Sequence, residues 1–247
     1  MWKAFLDLLF PPQEGCGFCN SSGRINPKTG MCLSCEGKLE FIRPPYCRKC
    51  GRQFPAACSL PVCPECAGQS YAFDLARAVC IYSGVIHDAV HRFKFRHCRK
   101  DAQWLGKLIL NGMRNYPEIL GFDAVVPVPL HKERLLERGY NQAELLGRII
   151  ADDYRKPLLS SCLLRTRPTS HQSFLSRQER HVNVKDAFAA EKNRMSLAQL
   201  ENRKLLLIDD VFTTGSTTDE CAKALVNAGA AKVFVLTLAT GKAMAKV

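Results

Sequence analysis

From residue 72 onward the chain changes its apolar rhythm repeatedly, and each change marks an element. Alternation over 72–82 predicts a strand. Val85, Ile86, Ala89, Val90 and Phe93 recur at helical spacing and predict a helix over 84–93, and a second helix follows over 103–113. The run FDAVVPVPL (122–130) is short, apolar and ended by prolines, which predicts a buried strand and then a loop. Leu145, Leu146, Ile149 and Ile150 place a helix over 141–154. Two strands are expected around Leu163 and Ala187, with the polar stretch TRPTSHQSFLSRQERHVN between them. A strand over 205–208, a helix over 216–227 ended by Ala228-Gly229, and a strand over 233–238 complete the series. Strands that alternate with helices imply an α/β domain, its mostly parallel sheet covered on both faces.

The first seventy residues follow no such rhythm. MWKAFLDLLFPP (1–12) places Trp2, Phe5, Leu6 and Leu9 on one face, so residues 1–13 read as a short amphipathic helix. Asp7, the lack of a small-residue cleavage site and Pro11-Pro12 argue against a signal peptide. No apolar run reaches the roughly 18 residues of a membrane helix. The expectation is a cytoplasmic protein without a membrane span, a setting in which structural disulfides are rare.

Of the 13 cysteines, nine lie in residues 16–66, and eight of these form four CxxC pairs: Cys16/Cys19, Cys32/Cys35, Cys47/Cys50 and Cys63/Cys66. Twelve residues separate the first two pairs and also the last two, so one unit occurs twice at an offset of 31 positions. That is an internal repeat. A CxxC turn brings two sulfurs to one ion, and two turns supply the four thiolates that tetrahedral Zn²⁺ takes. The repeat argues for one structural zinc per unit over residues 14–68, with a cross-braced pairing as the alternative. Thiol redox chemistry predicts one CxxC beside a βαβ pattern, not four in tandem.

The segment 205–225, LLLIDDVFTTGSTTDECAKAL, carries the other chemistry. Continuous aliphatics ending in acids read as a buried parallel strand, and ligands of open α/β sheets bind beyond the carboxyl ends of strands. Asp209 and Asp210 are placed at that end. Thr213, Thr214, Gly215, Ser216 and Thr217 then open a helix. Small residues admit a phosphate to the backbone N–H groups, hydroxyls add donors, and the helix presents its positive end. Adjacent carboxylates repel phosphate but accept hydrogen bonds from sugar hydroxyls or hold Mg²⁺ through water. The plainer reading is an acidic turn with a Ser/Thr cap. No Walker lysine is present, which argues against a P-loop nucleoside triphosphatase.

Composition adds less. With 247 residues, 47% of them apolar, the chain can bury a core beside a small companion domain. The net charge of +12 divides into +3 for residues 1–70, +4 for 71–120, +5 for 121–204 and zero for 205–247. The excess favours anionic partners and lies outside the phosphate-loop segment. Part of it is HRFKFRHCRK (91–100), where Arg92, Lys94, Arg96, Arg99 and Lys100 interleave with aromatics. That pattern suits single-stranded nucleic acid. It equally suits a helix with one core face and one charged face, and Lys94 can instead enter the phosphate pocket.

Residues 205–217 resemble the PRPP-binding motif of type I phosphoribosyltransferases. With VPVP (126–129), RGYNQAELL (138–146), LLFPP (8–12) and four CxxC pairs ahead of them, nearly the whole chain resembles the ComF/GntX family. The resemblance implies a Rossmann-like phosphoribosyltransferase domain with a parallel sheet behind a double zinc ribbon. Its core would span 121–247, with 69–120 as a helical connecting part. It implies that Asp209 and Asp210 bind the ribose hydroxyls of PRPP with Mg²⁺, and that Val211 and Thr213 to Thr217 form the phosphate loop. His131, Lys132, Arg134 and Arg138 become pyrophosphate candidates. Residues 165–183, with Gln172, Arg177 and Arg180, become a lid whose closure excludes water. The family is associated with competence, the uptake of single-stranded DNA.

Two readings follow. One is a transferase that moves phosphoribose to an acceptor, with no base or acceptor site visible in the sequence. The other is a single-stranded-DNA-binding competence factor that keeps the PRPP fold as a sensor, working with DNA-uptake proteins.

Overall fold

The computed structural model describes residues 15–19, 21–56, 58–96, 98–168, 177–191 and 198–243. The expected helix over 1–13 and the lid candidate Gln172 lie outside them.

In chain order the strands are β1 (Ile25–Asn26), β2 (Met31–Cys32), β3 (Leu75–Ile81), β4 (Ala124–Pro127), β5 (Leu163–Arg165), β6 (Phe188–Ala190), β7 (Lys204–Phe212) and β8 (Lys232–Thr240). The helices are α1 (Leu33–Glu36), α2 (Pro64–Ala67), α3 (Gly84–Phe95), α4 (Asp101–Met113), α5 (Lys132–Arg138), α6 (Gln142–Tyr154), α7 (Arg177–Val184) and α8 (Ser216–Asn227). Four strands form one parallel sheet in the order β3-β8-β7-β4. The segment 69–120 therefore supplies an edge strand as well as α3 and α4.

Successive side chains of a strand point to opposite faces, and β7 shows the consequence. Leu206 and Ile208 join one buried cluster with α3, α4 and α6, including Phe93, Leu105, Ile109, Leu146 and Ile150. Leu205 and Leu207 join a second cluster with Cys221 and Leu225 of α8 and with Leu163 and Phe188. Both faces are thus covered, which is why β7 and β8 read as nearly unbroken apolar runs.

The two cysteine ribbons divide between these faces. Cys16, Cys32 and Cys35 pack in the first cluster with Trp104 of α4. A side chain at Gly17 would lie 2.3 Å from the Trp104 ring, so this contact requires glycine. Cys47, Cys50, Cys63 and Cys66 pack in the second cluster beside Phe73 and Phe212.

Three expectations change. The strand over 205–208 continues to Phe212, because its ladder with β8 runs on through Asp209↔Thr237, Val211↔Ala239 and Phe212↔Thr240. The acid pair therefore sits within the strand rather than beyond it. The loop expected after VPVP contains α5, closed by Gly139 at φ 75°. Its Leu135 and Leu136 are exposed, so no buried face announces it. The strands near Leu163 and Ala187 form a separate antiparallel pair, β5–β6, outside the parallel sheet.

Candidate functional site

The thiols gather as the repeat predicts. Cys16, Cys19, Cys32 and Cys35 form one cluster, and Cys47, Cys50, Cys63 and Cys66 the other, with the Sγ atoms of each within 4.8 Å of one another. Pairing is sequential, not cross-braced. Cys19 and Cys32 sulfurs stand 3.7 Å apart, as do those of Cys50 and Cys63. A tetrahedron with Zn–S arms of about 2.3 Å has edges of about 3.8 Å. The two four-cysteine sites therefore fit two structural zinc ions. Among the remaining cysteines, Cys80, Cys162 and Cys221 are buried away from these clusters.

A cavity of about 450 Å³ opens beyond the carboxyl ends of β4 and β7. Asp209, Asp210, Val211, Thr213, Gly215 and Thr217 line one side of it. Leu130, Arg134, Arg138, Asn141 and Gln142 line another, and Tyr82, His87, His91, Lys94 and Phe95 a third. Three segments far apart in sequence meet here because their strands end at the same edge of one parallel sheet.

The acids lean opposite ways, as neighbours on a strand do. Asp210 takes an ion pair from Lys94, with Nζ 2.7 Å from Oδ1. Asp209 lies within electrostatic reach of Arg165 and of buried Cys221. Burial and the neighbouring Asp210 charge push the Asp209 carboxyl up to about 7, against the opposing pull of Lys94. For Lys94, burial opposes the charge, but Asp210 and Asp209 outweigh it and hold the ammonium above the ordinary lysine range. Lys94 thus counters much of the repulsion that two carboxylates would exert on an incoming phosphate.

The loop is preformed. Gly215 adopts φ 84°, and a side chain there would stand 2.8 Å from the Phe212 ring, so both backbone and space demand glycine. Thr214 Oγ1 lies 2.9 Å from Ser216 Oγ and accepts from the Ser216 N–H at 3.3 Å. Thr218 Oγ1 donates to the Gly215 carbonyl at 3.0 Å. Tyr71 donates to the Thr214 carbonyl at 3.2 Å, and Arg52 of the second ribbon donates to that of Thr213. With its carbonyls held outside, the loop and the start of α8 are set to receive an anion.

The other candidates divide. Arg134 and Arg138 reach the cavity. Lys132 is exposed and His131 lies 3.6 Å from Glu133, and neither lines the cavity. Arg177 and Arg180 lie on α7. Of the basic segment, Arg92 is bound to Asp101 at 2.7 Å and lies over Phe18. Arg96, Arg99 and Lys100 are exposed beyond the end of α3. Asn141 caps α6, accepting from Ala143 at 3.0 Å, and donates to the Val128 carbonyl. The sequence reading did not single out Arg52, Tyr71, Tyr82, His87 or Gln142. Only the four-residue spacing of His87, His91 and Phe95 carried a signal for any of them.

An α/β domain with a strand, acid pair, hydroxyl loop and helix, joined to two four-cysteine ribbons, defines the class. The double zinc ribbon domain family matches residues 5–67. The chain is 31% identical over 229 residues to competence protein F of Haemophilus influenzae, covering 91% of this chain and 96% of that one. It is 32% identical over 209 residues to the DNA utilization protein YhgH of Escherichia coli, covering 83% and 88%. It is 30% identical over 230 residues to competence protein ComFC of Bacillus subtilis, covering 87% and 85%. The chain belongs to the ComF family. Among solved structures, glutamine PRPP amidotransferase of Bacillus subtilis aligns at 18% identity and a TM-score of 0.39, over 60% of this chain and 30% of that larger protein.

Proposed function

We propose that this chain binds PRPP, or a related ribose 5-phosphate, in the cavity at Asp209 and Asp210, and transfers its phosphoribosyl group in the service of DNA uptake. The observation that carries this reading is the preformed loop from Thr213 to Thr217 beside a carboxylate pair whose charge Lys94 partly neutralises. The loop N–H groups, the hydroxyls of Thr213, Thr214, Ser216 and Thr217, and the start of α8 receive the 5-phosphate. Asp210 and Asp209 accept from the ribose hydroxyls. Lys94, Arg134 and Arg138, which line the same cavity, would supply positive charge to the leaving pyrophosphate. Mg²⁺, if held with the ligand near Asp209 and Asp210, would supply further countercharge.

Isothermal titration of PRPP with Mg²⁺ tests this. Wild type should bind, and the Asp209→Ala/Asp210→Ala variant should lose binding. Absent or unaltered binding refutes it. A second reading, a sensor that holds single-stranded DNA without turnover, draws on the exposed Arg96, Arg99 and Lys100 and on relatives named for competence and DNA utilization. It predicts PRPP binding without pyrophosphate release, and DNA affinity that falls steeply with salt.

A further inference from the structure

The wall of the cavity facing the acids carries an aromatic row that the ribose phosphate site does not use. His87, His91 and Phe95 recur every four residues on α3, so they share one face. Tyr82 begins the row. Ring centroids are 5.2 Å apart from Tyr82 to His87, 6.4 Å from His87 to His91 and 4.9 Å from His91 to Phe95. The Arg138 guanidinium closes it, 5.5 Å from the Phe95 centroid. The opposite face of the same helix, Val85, Ile86, Ala89, Val90 and Phe93, is buried in the core. His87, His91 and Phe95 therefore contribute nothing to the core, which Tyr82 alone of the row touches. Phe95 is 49% exposed, and His87 and His91 are exposed as well.

An uncovered row of rings inside a cavity calls for a flat, unsaturated occupant. Stacking on aromatic faces tolerates every base, because each has a π-face. A second observation is independent of the row. Gln142, 2% exposed, lines the same cavity, and its Nε2 has no hydrogen-bond partner among the described residues. An unpaired buried amide is costly. An amide is also a paired donor and acceptor, suited to the edge of a base. The cavity's size falls within the roughly 300–1,000 Å³ usual for ligand pockets.

We infer that the row from Tyr82 to Phe95 is a nucleobase subsite, with Gln142 donating to the base it holds. That this base is the acceptor of phosphoribose rests on the function proposed above. Its binding to the row does not. The base can arrive free or as part of single-stranded DNA.

Fluorescence of 2-aminopurine, which is quenched on stacking, tests the subsite. The probe is offered as the free base and within a short oligothymidylate, each with and without PRPP. Wild type should quench at least one form, and the form quenched identifies the source. His91→Ala/Phe95→Ala should weaken binding about tenfold or more, and Phe95→Trp should retain it. These side chains are exposed, and circular dichroism checks that the variants fold. Absence of quenching by wild type in every arm overturns the inference, as does wild-type quenching by the double alanine variant. PRPP titration in parallel separates the two proposals. Quenching without PRPP binding removes the transferase reading and leaves the base subsite standing. PRPP binding without ring-dependent quenching does the reverse.

Discussion

Arg52, in the turn after the Cys47/Cys50 pair, donates from Nη2 to the carbonyl oxygen of Thr213 in the phosphate loop. The same guanidinium pairs with Glu65 at 3.0 Å, between Cys63 and Cys66, and lies 5.7 Å from the Phe212 ring centroid. The second ribbon thus clamps the far side of the loop, from both of its cysteine turns.

Arg52→Ala should destabilise the protein, because removing one partner of a buried ion pair costs about 3–5 kcal/mol. It should also weaken PRPP binding by freeing the Thr213 carbonyl. Urea unfolding and PRPP titration measure the two effects, and unchanged values in both would mean that the clamp is idle.

Metal loss should act unequally. Wild type should carry two zinc equivalents, and Cys19→Ser and Cys50→Ser should each lose the ion of their own cluster only. Hydrogen exchange should then speed up over residues 212–218 in Cys50→Ser, where Arg52 loses its anchor. It should stay unchanged there in Cys19→Ser, whose cluster packs on Trp104 across the sheet.

The stability contributed by Asp209 should fall as the solution is made less acidic. Folded Asp209 keeps its proton to about pH 7, whereas an unfolded aspartate releases it near 3.9. Between those values the folded state binds more protons, so its advantage shrinks as pH rises from about 4 to about 7. The raised Lys94 value acts only well above that window. The urea midpoint of wild type, taken relative to that of Asp209→Asn so that the zinc sites cancel, should slope downward across the window.

Gly215→Ala should cost roughly 1–3 kcal/mol, the usual penalty for a strained backbone position, and more if Phe212 cannot yield. Thermal unfolding reads the loss. Gly121→Ala, where φ is ordinary and no atom lies within 4 Å, is the matched control and should be near neutral.

By itself the sequence determined what local chemistry dictates. Helical periods located α3, α4, α6 and α8, alternation located β3, and unbroken apolar runs located β4, β7 and β8, because burial of one face or of both leaves its mark in the residues themselves. The cysteine spacing determined two four-thiol sites, because ligand count and turn geometry lie within a few residues. The acid pair and hydroxyl loop were legible for the same reason. Tertiary structure alone decided what depends on distant segments meeting. It carried β7 past its aliphatics, because a ladder lasts as long as its partner strand does. It turned Lys94 into the cavity to meet Asp210, 116 positions away in the chain. It set Arg52 against Thr213 and placed the rings of α3 opposite the acids. No period or spacing encodes those contacts, which arise where separate strands end at one edge of a sheet.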